Sequence, residues 1–257
     1  MIREHFEYKT TIATIIAEEP GQIIAAKDGM IAARQEIEAV IAADPFFGAT
    51  LEPYDIASES LTVRRMVAAG MKAGTGPMAA VAGSIAWAGI EAMQESGASF
   101  GIIDNGGDIA LIGDREVRVG LYAGDAPISG TMAFAVPPRK GVTGICTSSA
   151  TVGPSISFGV ADAVTVFAAD VALADAWATS LCNRTAGPED ELFSPLEGAE
   201  IDGAFVVIGT GTYSWGRVPP LVPARVHETA ISAGYGGEIM ARILRNTIPP
   251  DRTPPCP

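Results

Sequence analysis

The chain has 257 residues, 48% of them hydrophobic and 18% charged, and a formal net charge of −13. That is enough apolar matter for one large core or two modest ones, and it is not a disordered composition. The negative field excludes nucleic acid and anionic membrane surfaces as partners, because both need a basic footprint; a phosphate-bearing ligand needs backbone N–H groups, a helix N-terminus or a cation to offset the repulsion.

Residues 6–17 alternate in a β-rich pattern, and Pro20-Gly21 reads as a turn before a short strand over 22–25, which makes a hairpin. Larger apolar residues recur at Met30, Ile37, Val40 and Ile41, so a helix is expected over 30–43, stopped by Asp44-Pro45. A second helix is expected over 57–71. Pro77 suits the first position of a third, small-residue-rich helix that closes at Gly97 and is expected to be buried, with Gly83 permitting close contact. The Asn105-Gly106-Gly107 turn between apolar runs at 100–104 and 108–112 is a strong hairpin signal. Further strands are expected over 116–122, 130–136, 163–167 and 204–208, a loop over 144–159, and helices over 171–182 and 237–245. One domain over 1–248 is followed by a Pro-rich tail, 249–257, expected to be disordered.

Cys146, Cys182 and Cys256 show no CxxC spacing and the only histidines are His5 and His227, which argues against a zinc site built from these residues. The odd cysteine count fits a reducing compartment. The first residues carry no apolar targeting core, and the longest apolar stretch, 78–93, is too short to span a bilayer, so the chain reads as soluble and cytoplasmic.

The segment 171–182, VALADAWATSLC, is polar only at Asp175, Thr179 and Ser180. On a helical wheel Leu173, Trp177 and Leu181 share one face, while Asp175 and Thr179 lie about 40° apart on the other. A helix apolar nearly all round is buried, and a buried carboxylate must be paired, hydrogen-bonded or metal-bound. A carboxylate and a hydroxyl one turn apart offer two hard oxygens that suit Mg²⁺. The alternative is that Asp175 faces solvent and Thr179 bonds back along its helix. In the loop 146–153, Thr147, Ser148 and Ser149 offer hydroxyls and N–H groups that can line a phosphate or flavin site or simply make a polar loop. Cys146 reads as a small buried thiol rather than a nucleophile. Asn105, Gly106, Gly107 and Asp108 form either a plain hairpin turn or one that lets a ligand approach the backbone. The opening Thr75-Gly76-Pro77-Met78 is either a good helix start or a positive end that receives an anion.

Taken in order, GPMAAVAGSIA, IDNGGDIAL, GICTSSATVGPSISFG, ADAVTVFAAD and ADAWATSLC resemble the ApbE-like flavin-transferase superfamily. YKTTI, ADPFFGATLEPY and VAAGMKAGTGPMAAVAG resemble its cytoplasmic, largely uncharacterised branch. The resemblance covers roughly residues 8–183 and rests most on the D-A-x-A-T helix together with NGGD. It implies an α+β fold of largely antiparallel sheet packed against long helices. It also implies Mg²⁺ held by Asp175 and Thr179 with a backbone carbonyl, and FAD or FMN near Asn105, Gly106, Gly107, Asp108, Thr147, Ser148 and Ser149. The implied chemistry is cleavage of FAD and attachment of FMN to a Thr or Ser of an acceptor protein. The family's histidine before the V-T-V strand is replaced by Pro154, and Asp162 or Asp175 is the candidate to serve as catalytic base in its place. Three readings stay open: a transferase or pyrophosphatase, a flavin or pterin carrier without chemistry, and a structural homo-oligomer.

Overall fold

The structure, a computed structural model, describes residues 1–152, 159–187 and 191–225. Strands β1 (Ile2–Tyr8) and β2 (Thr11–Ala17) form a hairpin that turns at Lys9, where φ is 55°. The expected second turn at Pro20-Gly21 and strand over 22–25 are instead the first turns of a long helix, α1 (Pro20–Ala43). Pro20 sits where a helix loses nothing by lacking an N–H, and Glu19 and Gln22 close a capping box around it. From Gln22 and Ile23 the buried face continues through Ala26, Met30, Ala33 and Ile37 at three- and four-residue spacing. Asp44 ends α1 and starts the short α2 (Pro45–Ala49) by accepting a hydrogen bond from the Phe46 N–H.

Helix α3 (Leu61–Ala73) begins later than the apolar pattern suggests, because Ser60 caps it through the Val63 N–H. A 3-10 turn over Pro77–Ala80 then leads into α4 (Val81–Glu95). The remaining elements are β3 (Gly101–Asn105), β4 (Asp108–Gly113), β5 (Val117–Gly120), β6 (Met132–Val136), β7 (Arg139–Ser148), β8 (Ala163–Ala168), α5 (Val171–Arg184), β9 (Gly203–Ile208), β10 (Gly211–Gly216) and β11 (Leu221–Pro223). Residues 144–148, expected to be loop, are the end of β7 and pair on both sides, with β4 and with β8. Their Gly, Ser and Thr content reads as loop; two flanking partner strands override it. The expected helix over 237–245, the tail 249–257 and Pro154 lie outside the described residues.

Eight strands form one antiparallel sheet in the order β1-β2-β3-β4-β7-β8-β9-β10, and β11-β6-β5 form a second. The helices cover one face of the large sheet, with α4 and α5 against its centre. The small sheet covers part of the other face, where Phe134 meets Phe167 and Phe205 edge to face at 5.0 and 5.4 Å. Every residue of β8 is buried, as a central strand covered on both faces must be. This is the mixed α+β architecture of antiparallel sheet and long helices that the sequence resemblance implied. Among the described residues no helix is long and apolar enough to cross a membrane.

Candidate functional site

Asp175 is 6% exposed in the middle of α5, so it does not face solvent. Its Oδ2 accepts the Gly83 N–H at 2.8 Å, and the Ala82 N–H also bonds its carboxylate. Both amides belong to the first turn of α4, whose own preceding residue, Ala80, provides no side-chain cap. The free N–H groups of a helix start need acceptors, and α5 supplies one from across the core. The regular helix starts at Val81, and the amides that meet a carboxyl are those of Ala82 and Gly83 rather than those of Thr75-Gly76-Pro77-Met78. A side chain at this contact would be crowded. A Cβ on Gly83 would lie 3.0 Å from the Asp175 Cβ and 3.0 Å from the Val171 carbonyl oxygen.

A second carboxylate faces this one. Gly106 and Gly107, at φ 72° and 103°, make the two-residue turn between β3 and β4 that only left-handed backbone allows. That turn sets Asn105 opposite Asp108, and the next strand sets Cys146 opposite Asp108. Asn105 is buried and donates its Nδ2 to the Ala82 carbonyl at 2.9 Å, tying the end of β3 to the same helix turn that holds Asp175. Asp108 is half-buried, with its carboxyl in hydrogen-bonding reach of the Cys146 thiol. The Cys146 sulfur lies 3.6 Å from the Val171 carbonyl oxygen at the start of α5.

The electrostatics of this cluster are unfavourable to charge. Burial pushes the Asp108 carboxyl well above its ordinary range, and the charges of Asp175 and Asp104 push it further, against hydrogen bonds from the Thr147 backbone and the Cys146 thiol. Burial raises Asp175 to about 7, even though the Gly83 and Ala82 N–H groups pull it down. Burial, followed by the Asp108 and Asp175 charges, raises Cys146 well above the usual thiol value, which keeps it an inert thiol. Among the described residues neither Asp108 nor Asp175 forms a salt bridge with Lys, Arg or His.

The other candidates stand nearby with distinct engagements. Thr179 is half-buried one turn beyond Asp175. Thr147 and Thr165 share a hydrogen bond between hydroxyls at 2.9 Å across β7 and β8. Ser148 ends β7, and Ser149 Oγ accepts the Thr151 and Val152 N–H groups, folding its own turn. Asp162 is engaged elsewhere: it accepts the Gly209 N–H at 2.7 Å and the Thr151 hydroxyl at 3.3 Å, so it clamps the β9–β10 turn. Among the described residues no three His, Cys, Asp or Glu side chains converge as a metal-holding group. The donors on hand are carboxylate, hydroxyl and carbonyl oxygens, which suit a hard cation that keeps water or ligand oxygens in its shell. The part played by Ala82 and Gly83 was invisible in composition, since the groups that matter there are main-chain.

A family model described as "AbpE bacteria" matches residues 3–194. The UPF0280 protein of Methanosphaerula palustris is 57% identical over 234 residues, covering 91% of this chain and 99% of its own. That of Methanoregula boonei is 55% identical over 235 residues, with coverage of 91% and 99%. Among solved structures, the flavin transferase ApbE from Vibrio cholerae superposes with a TM-score of 0.56 at 13% identity, over 83% of this chain and 96% of that one. The apo flavinyl transferase ApbE from Pseudomonas stutzeri gives 0.50 at 14% identity, over 91% and 98%. Identity this low speaks for the fold alone, but the family match spans most of the chain and the relatives align almost end to end. The chain belongs to the AbpE bacteria family, with the UPF0280 proteins as relatives and the fold of the ApbE flavin transferases.

Proposed function

We propose that this protein binds a flavin nucleotide together with Mg²⁺ and cleaves FAD at its pyrophosphate. One observation carries the reading: the half-buried Asp108 lies beside the buried Asp175, with no basic side chain paired to either among the described residues. Two such carboxylates must share a proton or a cation. A divalent ion there fits the oxygen-only donor set, and it resolves the conflict between a pyrophosphate ligand and a chain of charge −13. In this reading Asp175 and Thr179 hold the ion, with Asp108 facing it. Asn105, Gly106, Gly107, Thr147, Ser148 and Ser149 form the rim that meets the nucleotide.

The bound ion supplies charge neutralisation at the pyrophosphate oxygens. The chain's own part is positional. The α4 amides fix the Asp175 carboxylate, Asn105 locks that helix turn to β3, and the open Gly106-Gly107 turn lets a ligand approach the backbone. Cleavage joins the FMN phosphorus to an acceptor hydroxyl or to water, with AMP leaving. The structural neighbours are flavin transferases, which supports the flavin as ligand class.

A second reading, nucleotide binding without transfer, is favoured by one observation: no histidine occurs between residues 6 and 226 to serve as a base. Incubation with FAD and MgCl₂, followed by chromatography, separates the two. Mg²⁺-dependent FMN and AMP, lost in Asp175→Asn, support cleavage. FAD recovered intact from a yellow protein supports the carrier. If calorimetry detects neither FAD nor FMN binding with Mg²⁺ present, both readings are wrong.

A further inference from the structure

On the face of the large sheet away from the helices, a cleft of about 450 Å³ opens beside the first residues of β7. Along that strand Arg139 is seven positions from Cys146 and Thr143 three, so the cleft runs from about 10 Å to about 20 Å from the residue opposite Asp108. It is a separate place on the molecule.

Its walls differ from the acidic surface around them. Arg139 and Arg217 both line it, and both pair with a single carboxylate, Asp202, with Arg217 Nη2 at 2.6 Å from Oδ1. Two guanidiniums on one carboxylate leave one net positive charge in a chain of −13. Burial would raise the Asp202 carboxyl, yet hydrogen bonds from Arg139 and Arg217 hold it below its ordinary value, so the bridge stays ionised at neutral pH. The Arg217 side chain is 86% exposed and its guanidinium has donors to spare beyond the bridge.

Thr143 is the second, independent observation. It lines the cleft, it is 6% exposed, and its hydroxyl has no hydrogen-bond partner among the described residues. A buried hydroxyl left without a partner is costly and needs a reason. Between Thr143 and Arg139 the pairing of β7 with β4 shifts register, and such irregularities re-aim side chains next to sites. The remaining lining includes Val136, Phe167 and four prolines, which add rigid apolar surface and no N–H donors.

We propose that this cleft binds a small organic monocarboxylate, its carboxylate received by Arg217, Arg139 and the Thr143 hydroxyl and its apolar body lying against Phe167 and Val136. A guanidinium fork and a hydroxyl match the two oxygens of a carboxylate. One net positive charge matches a monoanion better than a phosphate dianion. The volume leaves room for a ring or short chain beyond the head group. This inference does not depend on the nucleotide reading.

The test is saturation-transfer NMR on the full chain with benzoate as the probe, and with benzyl alcohol and inorganic phosphate as controls. Benzoate is expected to bind saturably, and Arg217→Ala to weaken it about tenfold or more. That variant leaves Asp202 paired with Arg139, and circular dichroism checks that it stays folded. Thr143→Val is expected to weaken benzoate severalfold, while Thr143→Ser, which keeps the hydroxyl, binds as the wild type does. No saturable benzoate binding up to about 10 mM overturns the proposal. So does equal affinity for Arg217→Ala and the wild type, equal affinity for benzyl alcohol, or displacement of benzoate by equimolar phosphate.

Discussion

The Oδ2 atom of Asp175 and the amide nitrogen of Gly83 are 2.8 Å apart, so helix α5 caps helix α4 from the side. The capping oxygen comes from a residue 92 positions away rather than from the residue before the helix. One carboxylate therefore does two things: it completes a helix start and it brings a negative charge beside Asp108.

Those two roles separate by substitution. Asp175→Ala removes the acceptor and leaves the Gly83 N–H buried without a partner, so unfolding by urea is expected to show a loss of about 1–3 kcal/mol. Asp175→Asn keeps an acceptor oxygen and is expected to lose less than about 1 kcal/mol while abolishing Mg²⁺-dependent nucleotide binding. Equal stability of the two variants would show that the cap contributes nothing.

The second expectation concerns pH. The folded-state values of Asp108 and Asp175 are raised above their unfolded ones, Asp175 from 3.8 to about 7. The folded chain then holds more protons than the unfolded chain across that interval, so stability falls as pH rises from about 4 to about 7. Carboxyls with lowered values, such as Glu38 and Asp114, act in the opposite sense but at lower pH, and Lys9 and Arg115 act only at high pH. Without divalent ions, thermal midpoints between pH 5 and pH 8 should decline. Mg²⁺ should flatten the decline, and Asp175→Asn should reduce its slope. A midpoint that climbs through this range in the metal-free protein contradicts the assignment.

A third expectation tests the close approach of the two helices. Gly83→Ala would place a methyl 3.0 Å from the Asp175 Cβ and 3.1 Å from its Oδ2. The neighbours on one side are backbone of α5, so relief requires moving a helix. A cost of about 1–3 kcal/mol is expected, together with weaker Mg²⁺-dependent FAD binding by calorimetry. Wild-type affinity in this variant would mean that the geometry at Gly83 does not govern the site.

Cys146 offers a fourth measurement. Fully buried beside two carboxylates, its thiol is held in the neutral form, so alkylation of the native protein at pH 8 is expected to spare it. Peptide mapping should find Cys146 modified only after denaturation. Rapid labelling of the folded chain would show that this interior opens readily.

Much of the architecture was written locally. The twelve residues from Val171 are apolar nearly all round, which pointed to a buried α5 and left two places for Asp175, inside or facing solvent; the structure puts it inside. Asn105-Gly106-Gly107 could only be a tight turn, and the apolar runs beside it only strands. Local patterns erred where a residue type has two uses. Pro20 serves a turn or a helix start equally well, and the Glu19–Gln22 capping box decided for the helix. The Gly, Ser and Thr of residues 144–148 read as loop until β4 and β8 took them into the sheet.

What sequence could not supply was partnership. Periodicity says which side of an element is buried; it does not say which distant group waits there, because that depends on the register of strands and the crossing of helices. Only the tertiary structure brought Asp175 to the amides of α4, set Cys146 opposite Asp108, and gathered Arg139, Arg217 and Thr143 at one cleft. The main-chain N–H groups that hold Asp175 occur in every residue but proline, and burial and direction alone make two of them part of a site.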